Sequence, residues 1–388
     1  MKEENRRYAE EAFEIVEHAA KKIGSRLPGS DGEKEYAAYM GDKLRSIGIE
    51  PVREEFAVSP RASIGGIPYA GYLGLIMSAL VYVALHLSAV WYGMALASVV
   101  CWVWLILSVF LYKTWFDMFF KQEISQNTYG ELLPPDGKYD YTIILSGHTD
   151  TSWCWRHSAH ASKFKKTKPA LGLVATFAKV GFGVICFLFL TAVSIAMTVI
   201  SSGVYFGEVW ALKIANSASF ANFLFAMHFL PVVTAIGCMF VVMWADPNPR
   251  NASRGAMDNA TGCALSFAVT KYFHDHPEKM PKNCRIIDFN CGSEEAGLRG
   301  SIAFTREHKG EPILENTWNI NIDSVADKDF FEVVIKDDWQ FCRFDTDLEK
   351  MFKDTFNELG IVSKTNGCIH NPVGGCDSTP MTKDRCGS

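Results

Sequence analysis

Residues 284–301, "CRIIDFNCGSEEAGLRGS", decide how this chain is read. The stretch opens as a mostly apolar run with the character of a buried strand, then sets Glu294 and Glu295 side by side among small residues. Two adjacent carboxylates directly after a buried strand are disfavoured by mutual repulsion and by desolvation. In an open α/β sheet, ligand sites form beyond the carboxyl ends of the strands. What stands at the other strand ends therefore bears on the purpose of the pair.

"YDYTIILSGHTD" (139–150) is a second strand, apolar from Thr142 to Leu145, ending in His148 and Asp150. "NTWNINIDS" (316–324) is a third, ending in Asp323. "DNATGCALSFAVTKYFHDH" (258–276) reads as a helix that begins at the capping-type residue Asp258 and offers Ala264, Leu265, Phe267, Ala268 and Phe273 for burial. Upstream, residues 25–58 hold a turn at "SRLPGS", a helix ending near Gly48 and an extended stretch. Downstream, "DLEKMFKDTFNELG" (347–360) is a helix with Leu348, Met351, Phe352, Phe356 and Leu359 on one face, closed by Gly360. This order predicts an α/β domain with a mainly parallel sheet flanked by helices.

The balance of 38 Lys+Arg against 43 Asp+Glu in 388 residues offers no broad basic surface, which excludes a nucleic acid partner. Eleven cysteines, an odd number scattered without a framework, are expected to be mostly reduced. The first 22 residues form a charged amphipathic helix rather than a signal peptide.

A mean hydropathy of +0.05 is high for a soluble protein, and the excess lies in two blocks. Residues 71–112 contain no charged residue over about twice the ~20 residues that one membrane crossing needs, which predicts a helical hairpin turning near "SAVWYG". A second hairpin occupies 180–245, with spans near 180–202 and 221–245. His86 and His228, inside the spans, are expected to make polar helix contacts rather than to bind a ligand. Two hairpins make a multi-pass integral membrane protein and return residues 1–70, 113–179 and 246–388 to one side of the lipid bilayer, where they form one domain. Basic residues near the spans cluster on that side (Arg61, Lys113, Lys121, Lys163, Lys165, Lys166, Lys168, Lys179, Arg250, Arg254), while the tips carry only Lys213. The positive-inside rule then places the domain in the cytoplasm.

Each acidic position alone has an ordinary reading: "GHTD" as a turn, Asp258 as a helix cap, the glutamates as a solvated loop, Asp323 as a turn residue. Together they gather His148, Asp150, Asp258, Glu294, Glu295 and Asp323 at one end of a sheet without lysine or arginine partners. A bound metal cation is the economical explanation.

"SGHTDTS", "GAMDNATG", "GSEEAGLRGS" and "NIDS" resemble, in the same chain order, the four signatures of the co-catalytic di-zinc aminopeptidases and carboxypeptidases of metallopeptidase family twenty-eight. "SRLPGS" and "GGCDSTPM" are similar to further elements of that family. The resemblance implies a zinc exopeptidase-like fold and hydrolysis of N-terminal peptide bonds, on a peptide substrate with a free amino terminus, through a metal-activated water. It implies two Zn2+ ions: His148 and Asp323 on one, Glu295 on the other, and Asp258 bridging. Glu294 would be the general base that takes a proton from the attacking water and passes it to the leaving amine. Asp150 would be the acid beside the first ligand, and Cys376 and Asp377 would bind substrate.

Two departures from the family follow. The membrane hairpins interrupt the domain, one before the "GHTD" strand and one between Asp150 and Asp258. The family's last zinc ligand is a histidine beyond the "GGCDSTPM" element, whereas this sequence stops at Ser388. A truncated C-terminus and a weak second zinc site are therefore expected, with His157, His160 and His370 outside the motif. Two other readings remain. One is a single-zinc enzyme of the glutaminyl cyclase type, against which Asp258 in "DNATG" speaks. The other is a catalytically impaired membrane scaffold, which the missing histidine favours and Glu294 opposes.

Overall fold

A computed structural model describes residues 3–154, 169–244, 253–326, 331–361, 363–369 and 375–386. His157, His160 and His370 lie outside the described residues. The chain divides into two compact units. One comprises Met1–Ile64, Leu107–Trp153 and Asn248–Ser388; the other comprises Gly65–Ile106 and Cys154–Pro247.

The first unit contains, in order, α1 (Glu3–His18), α2 (Asp31–Ser46), β1 (Val52–Val58), β2 (Glu123–Leu132) and β3 (Tyr141–His148). The helices of the second unit intervene before α9 (Thr261–Asp275), β4 (Cys284–Cys291), α10 (Arg299–Glu307) and β5 (Thr317–Asn321). Then come β6 (Phe331–Asp337), β7 (Cys342–Arg343), α11 (Thr346–Glu358), β8 (Ser363–Ile369) and α12 (Ser378–Cys386).

Five strands form the main sheet in the order β1-β2-β4-β3-β5. The pairs β4–β3 and β3–β5 are parallel, as the three site-bearing strands require. The pairs β1–β2 and β2–β4 are antiparallel, and the second sheet, β7-β6-β8, also has one pair of each kind. The expected mainly parallel sheet is thus corrected to a mixed one. The cause is β2, "EISQNTYGEL", which carries few apolar residues yet is buried from Ser125 to Gly130.

All eight residues of β4 are buried, because both faces of the sheet are covered. Leu145 and Ile286 pack toward Phe273 of α9, whereas Ile144, Ile287 and Phe289 pack toward Phe304 of α10 and Met381 of α12. A third cluster joins Ile15, Tyr36, Met40 and Leu44 to Ala264 and Phe267 of α9. In α11, Leu348, Phe352 and Phe356 form the half-buried stripe, and Phe356 meets Phe331 of β6 at 5.9 Å. Met351 and Leu359, expected on that face, are 52% and 66% exposed.

The second unit is helical: α3 (Ile67–Ala84), α4 (Ala89–Trp104), α5 (Pro169–Tyr205), α6 (Val209–Ala215), α7 (Ala218–Ala226) and α8 (Leu230–Val242). Among the described residues, three helices are long and apolar enough to cross a membrane: Ile64–Ala84, Ala89–Phe110 and Ala178–Tyr205. The pair α7 and α8, bent by 49°, makes a fourth candidate if it is one span. The first turn falls at Leu85–Ser88, just before the expected "SAVWYG", and the second tip carries α6. Helix α8 packs on α3 and α5, closely enough at Gly74 that a Cβ there would overlap Cys238. His228 Nδ1 lies 3.0 Å from the Leu224 carbonyl of its own segment. The nine cysteines described as to pairing are free thiols.

Candidate metal centre

His148 ends β3 with its ring 1% exposed. A Cβ at the preceding Gly147 would overlap the backbone of Gly262 and Cys263, so only glycine lets the start of α9 lie against this strand end. Cys263 Sγ donates to the His148 carbonyl at 3.3 Å. Asp258 does not cap α9, contrary to the expectation. Its backbone is extended (φ −117°, ψ 94°), and the neighbouring Asn259 instead accepts the Gly262 N–H at 2.9 Å. Asn259 Nδ2 also donates to Ile322 O at 2.9 Å, tying the start of α9 to the turn that carries Asp323.

His148 Nε2 lies 3.0 Å from Asp258 Oδ1 and 4.0 Å from both Glu294 Oε2 and Asp323 Oδ2. Ligand atoms of His148, Asp258 and Asp323 all fall within 4.8 Å of one another. Among the described ion pairs, these carboxylates meet His148 rather than a lysine or arginine. Glu295 is 8% exposed and follows Glu294 in a short turn, Glu294–Ala296, that begins directly after β4.

That turn is held by two other carboxylates. Asp150, fully buried, accepts the backbone N–H groups of Glu294 and Glu295 on its two oxygens, each at 2.9 Å. Its Oδ1 also stands 3.2 Å from His148 Nδ1, an ion-pair contact that does not make a hydrogen bond. Glu33, equally buried, accepts the Ser293 N–H and hydroxyl at 2.6 and 2.9 Å on one oxygen. The other oxygen accepts the Gly29 N–H at 2.6 Å and the Ser125 hydroxyl at 3.0 Å. Three successive N–H groups, from Ser293 to Glu295, thus point at two buried carboxylates, the concave arrangement that binds anions. Ser293 and Leu298 flank the turn with left-handed backbones (φ 53° and 59°), and Ser324 repeats this after Asp323 (φ 53°). Such conformations persist where surrounding contacts impose them.

Glu33 and Arg26 are functional positions that sequence reasoning missed. Both lie in or beside "SRLPGS". The spacing Ser30-x-x-Glu33 reads as an ordinary helix capping box, which hides the reach of Glu33 to the turn that carries Glu294 and Glu295. Arg26, fully buried, donates to the carbonyls of Thr149, Arg254 and Gly255 at 2.7, 2.9 and 2.9 Å. It binds together the loops that carry Asp150 and Asp258.

Burial dominates the electrostatics. Desolvation pushes Glu294 and Glu295 well above the usual carboxylate range; neighbouring carboxylates add to the rise and His148 opposes it. Asp323 is raised for the same first reason. Burial alone would depress His148, but Asp150, Asp258 and Glu294 outweigh it and hold the imidazolium well above 6.5. Burial raises Asp258 too, yet its contact with His148 leaves it below its ordinary value. Carboxyl groups forced upward around the Nε2 edge of a buried imidazole form a donor set that fits a divalent cation.

Asp377 is 1% exposed and accepts the Ser301 hydroxyl at 2.7 Å through Oδ1, while Oδ2 has no partner. Cys376 Sγ receives Asn321 Nδ2 at 3.6 Å, and burial pushes its thiol up to about 12. A cavity of about 1380 Å³ runs along β5, β6 and α11 and includes Asp323, Cys376 and Ser378 in its wall. His148, Asp258 and Glu294 are not part of that wall, so the cavity reaches the cluster only at its edge.

Residues 239–368 match the profile of Peptidase family M28. No curated protein matches the chain. Among solved structures, the chain is similar to BSAP, a zinc aminopeptidase from Bacillus subtilis, at 12% identity and a TM-score of 0.47, covering 97% of this chain and 83% of that one. It is also similar to a Zn-dependent exopeptidase from Parabacteroides distasonis (12%, TM-score 0.46, 97% and 81%). A Bacteroides thetaiotaomicron glutaminyl cyclase is similar to the same degree (12%, TM-score 0.45, 97% and 80%).

Proposed function

We propose that this chain, whose residues 239–368 match Peptidase family M28, belongs to that family and is a membrane-bound zinc-dependent exopeptidase that removes N-terminal residues from peptides. The observation that carries this reading is the convergence of His148, Asp258 and Asp323 within 4.8 Å, with Glu294 beside them and His148 as their common ion-pair partner.

His148, Asp258 and Asp323 would hold one zinc, and Asp258 with Glu295 would contribute to a second. Bound zinc supplies Lewis-acid polarisation of the scissile carbonyl and lowers the pKa of water toward about 7. Glu294 accepts the proton of the attacking water and delivers it to the leaving amine. Its raised proton affinity, set first by burial, suits a group that takes up and passes on a proton. Asp150 fixes the backbone of both glutamates, so base and ligand keep their relative positions. Asp377, with one unpartnered oxygen, and Cys376 border the site and are the proposed substrate contacts. The apolar helices anchor the chain in the bilayer, and the basic residues flanking them favour a cytoplasmic catalytic unit.

Zinc content and turnover of a panel of aminoacyl reporter peptides test the reading on the full chain. Glu294→Gln should retain metal while losing about 10²-fold or more in turnover, since it removes proton transfer but no ligand. Glu295→Gln should lose metal. Full activity in Glu294→Gln would refute the assignment.

A further inference from the structure

The apolar helix that begins at Ala89 runs in helical form to Phe110, and the chain then enters the unit that carries the metal centre. Two segments distant in sequence gather around that exit. Gln340 Nε2 donates to the Phe110 carbonyl at 2.6 Å, and the Trp339 ring lies 5.7 Å from the Phe110 ring. Beside them Phe341 is 91% exposed. A few residues beyond Phe110, Trp115, Met118 and Phe119 are 68%, 74% and 74% exposed.

The second segment is held firmly. Arg299 donates to the Tyr112 carbonyl at 2.8 Å and pairs with Asp117 Oδ1 at 3.0 Å, and Ser59 Oγ donates to the Asp117 carbonyl at 2.9 Å. A fixed loop that turns Trp, Met and Phe outward gains nothing by doing so in water. The charges nearby include two lysines, Lys113, which is exposed and close enough to Lys383 to repel it, and Lys383, whose Nζ donates to Gln340 Oε1 at 3.1 Å, while the exposed Asp338 is paired with Lys336 at 2.9 Å and Asp117 with Arg299.

We propose that Trp115, Met118, Phe119, Trp339 and Phe341 form an aromatic collar that seats the catalytic unit in the interfacial layer of a lipid bilayer. This rests on the membrane reading above. Continuity with the exit of a spanning helix selects the bilayer over a protein partner, since a residue ~5 positions past Phe110 can stand no more than about 18 Å from it along the chain. Tryptophan and its relatives favour the headgroup level, where an apolar ring and a polar edge are both accommodated. Lys113 and Lys383 then face anionic headgroups. Arg299 lies five residues after Glu294 in the chain, so the collar is tied by its guanidinium to the turn that carries the base.

Site-specific photocrosslinking tests this on the full chain in bilayer nanodiscs of phosphatidylcholine and phosphatidylglycerol. Benzoylphenylalanine replaces Phe119, Phe341, Val100 of α4, or Phe13, an exposed residue of α1, which packs on α9. Lipid adducts, read by mass spectrometry, are expected at Phe119, Phe341 and Val100 and not at Phe13. Adducts at Val100 with none at Phe119 or Phe341 would overturn the collar while leaving the membrane reading intact. Absence of adducts at Val100 would overturn the membrane reading and the collar with it. Crosslinks from Phe119 to protein in place of lipid would assign the patch to a protein partner and refute the proposal.

Discussion

Removing divalent metal should make the protein lose stability as pH rises, and restoring it should cancel or reverse that slope. Burial, and after it the charge of Asp150, push Glu33 up to about 8 from an ordinary 4.5. Burial pushes Asp288 from 3.8 to about 7, and Asp377 from 3.8 to about 6. Between its unfolded and folded pKa, such a carboxyl keeps in the folded state a proton that the unfolded chain has lost. Each pH unit in that window therefore subtracts stability, and the loss is complete above the folded pKa. His148, held above 6.5, acts with the same sign, because its contribution is present below 6.5 and vanishes as pH rises through the folded value. Asp258, which is lowered, contributes the opposite slope only below about 4, outside the window. One group gives at most about 1.4 kcal/mol per pH unit, so the equivalent of Glu33 alone amounts to about 2–3 kcal/mol between pH 5 and 7. For a unit of this size that is a fall of roughly 5–10 °C in melting temperature. Metal ligands must be deprotonated to bind, so zinc adds more stability as pH rises. Asp288 supplies an internal control. It touches Ser266 and Asn290 rather than the cluster, and its slope should persist with and without metal. Thermal melts of the detergent-purified chain at pH 5, 6, 7 and 8, with chelator or with zinc, measure both slopes. Parallel curves in the two conditions, or a chelated protein that gains stability from pH 5 to 8, would refute the reasoning.

Glu33→Gln should cost about 1–3 kcal/mol, because the new amide must face either the Ser293 or the Gly29 backbone N–H, neither of which can rotate away. It should lower kcat with little change in KM, as expected for a residue that positions the base; a stability loss without any kcat effect would make its role purely structural. Arg299→Met should destabilise by about 2–4 kcal/mol by leaving the half-buried Asp117 unpaired. Adding Asp117→Leu should recover part of that loss, and melts that show no recovery would mean the backbone carbonyls are the partners that matter. Cysteines introduced at Ser88 and Glu208, at the turns of the two hairpins, should react with an impermeant thiol reagent in intact cells, while one at the exposed Asp354 should not. Labelling at Asp354 would reverse the proposed orientation.

The parallel heart of the sheet was legible because β3 and β4 are largely buried and read as apolar runs, and because charged residues follow or end all three of β3, β4 and the half-buried β5. Helix α9 was legible from its periodicity, though its start was misplaced by three residues. Asp258 has the chemistry of a cap, and only the tertiary contact with His148 draws it out of that role. The small sheet β7-β6-β8 left little trace in the sequence, since its strands are short or alternate weakly between polar and apolar residues.

The strand that escaped notice is also the one that bears most on the site. β2 is buried through Ser125, Gln126, Asn127 and Thr128, which no hydrophobic pattern selects. Each of the first three has a specific polar partner. Ser125 donates to Glu33, Gln126 to the Lys34 carbonyl, and Asn127 both donates to the Gly300 carbonyl and accepts the Gly292 N–H. Gly292 and Gly300 bracket the turn that holds Glu294 and Glu295, and Glu33 binds its first residue. β2 is therefore polar because it supports the turn from beneath. Burying polar groups is tolerable only when they are satisfied, and here the partners are α2, through Glu33 and the Lys34 carbonyl, and the glycines on either side of the turn. The same strand makes the sheet mixed: β2 meets both β1 and β4 antiparallel, with Thr128 opposite Asn290, so the polar residues before Thr128 run toward the end of β4 where the carboxylates stand.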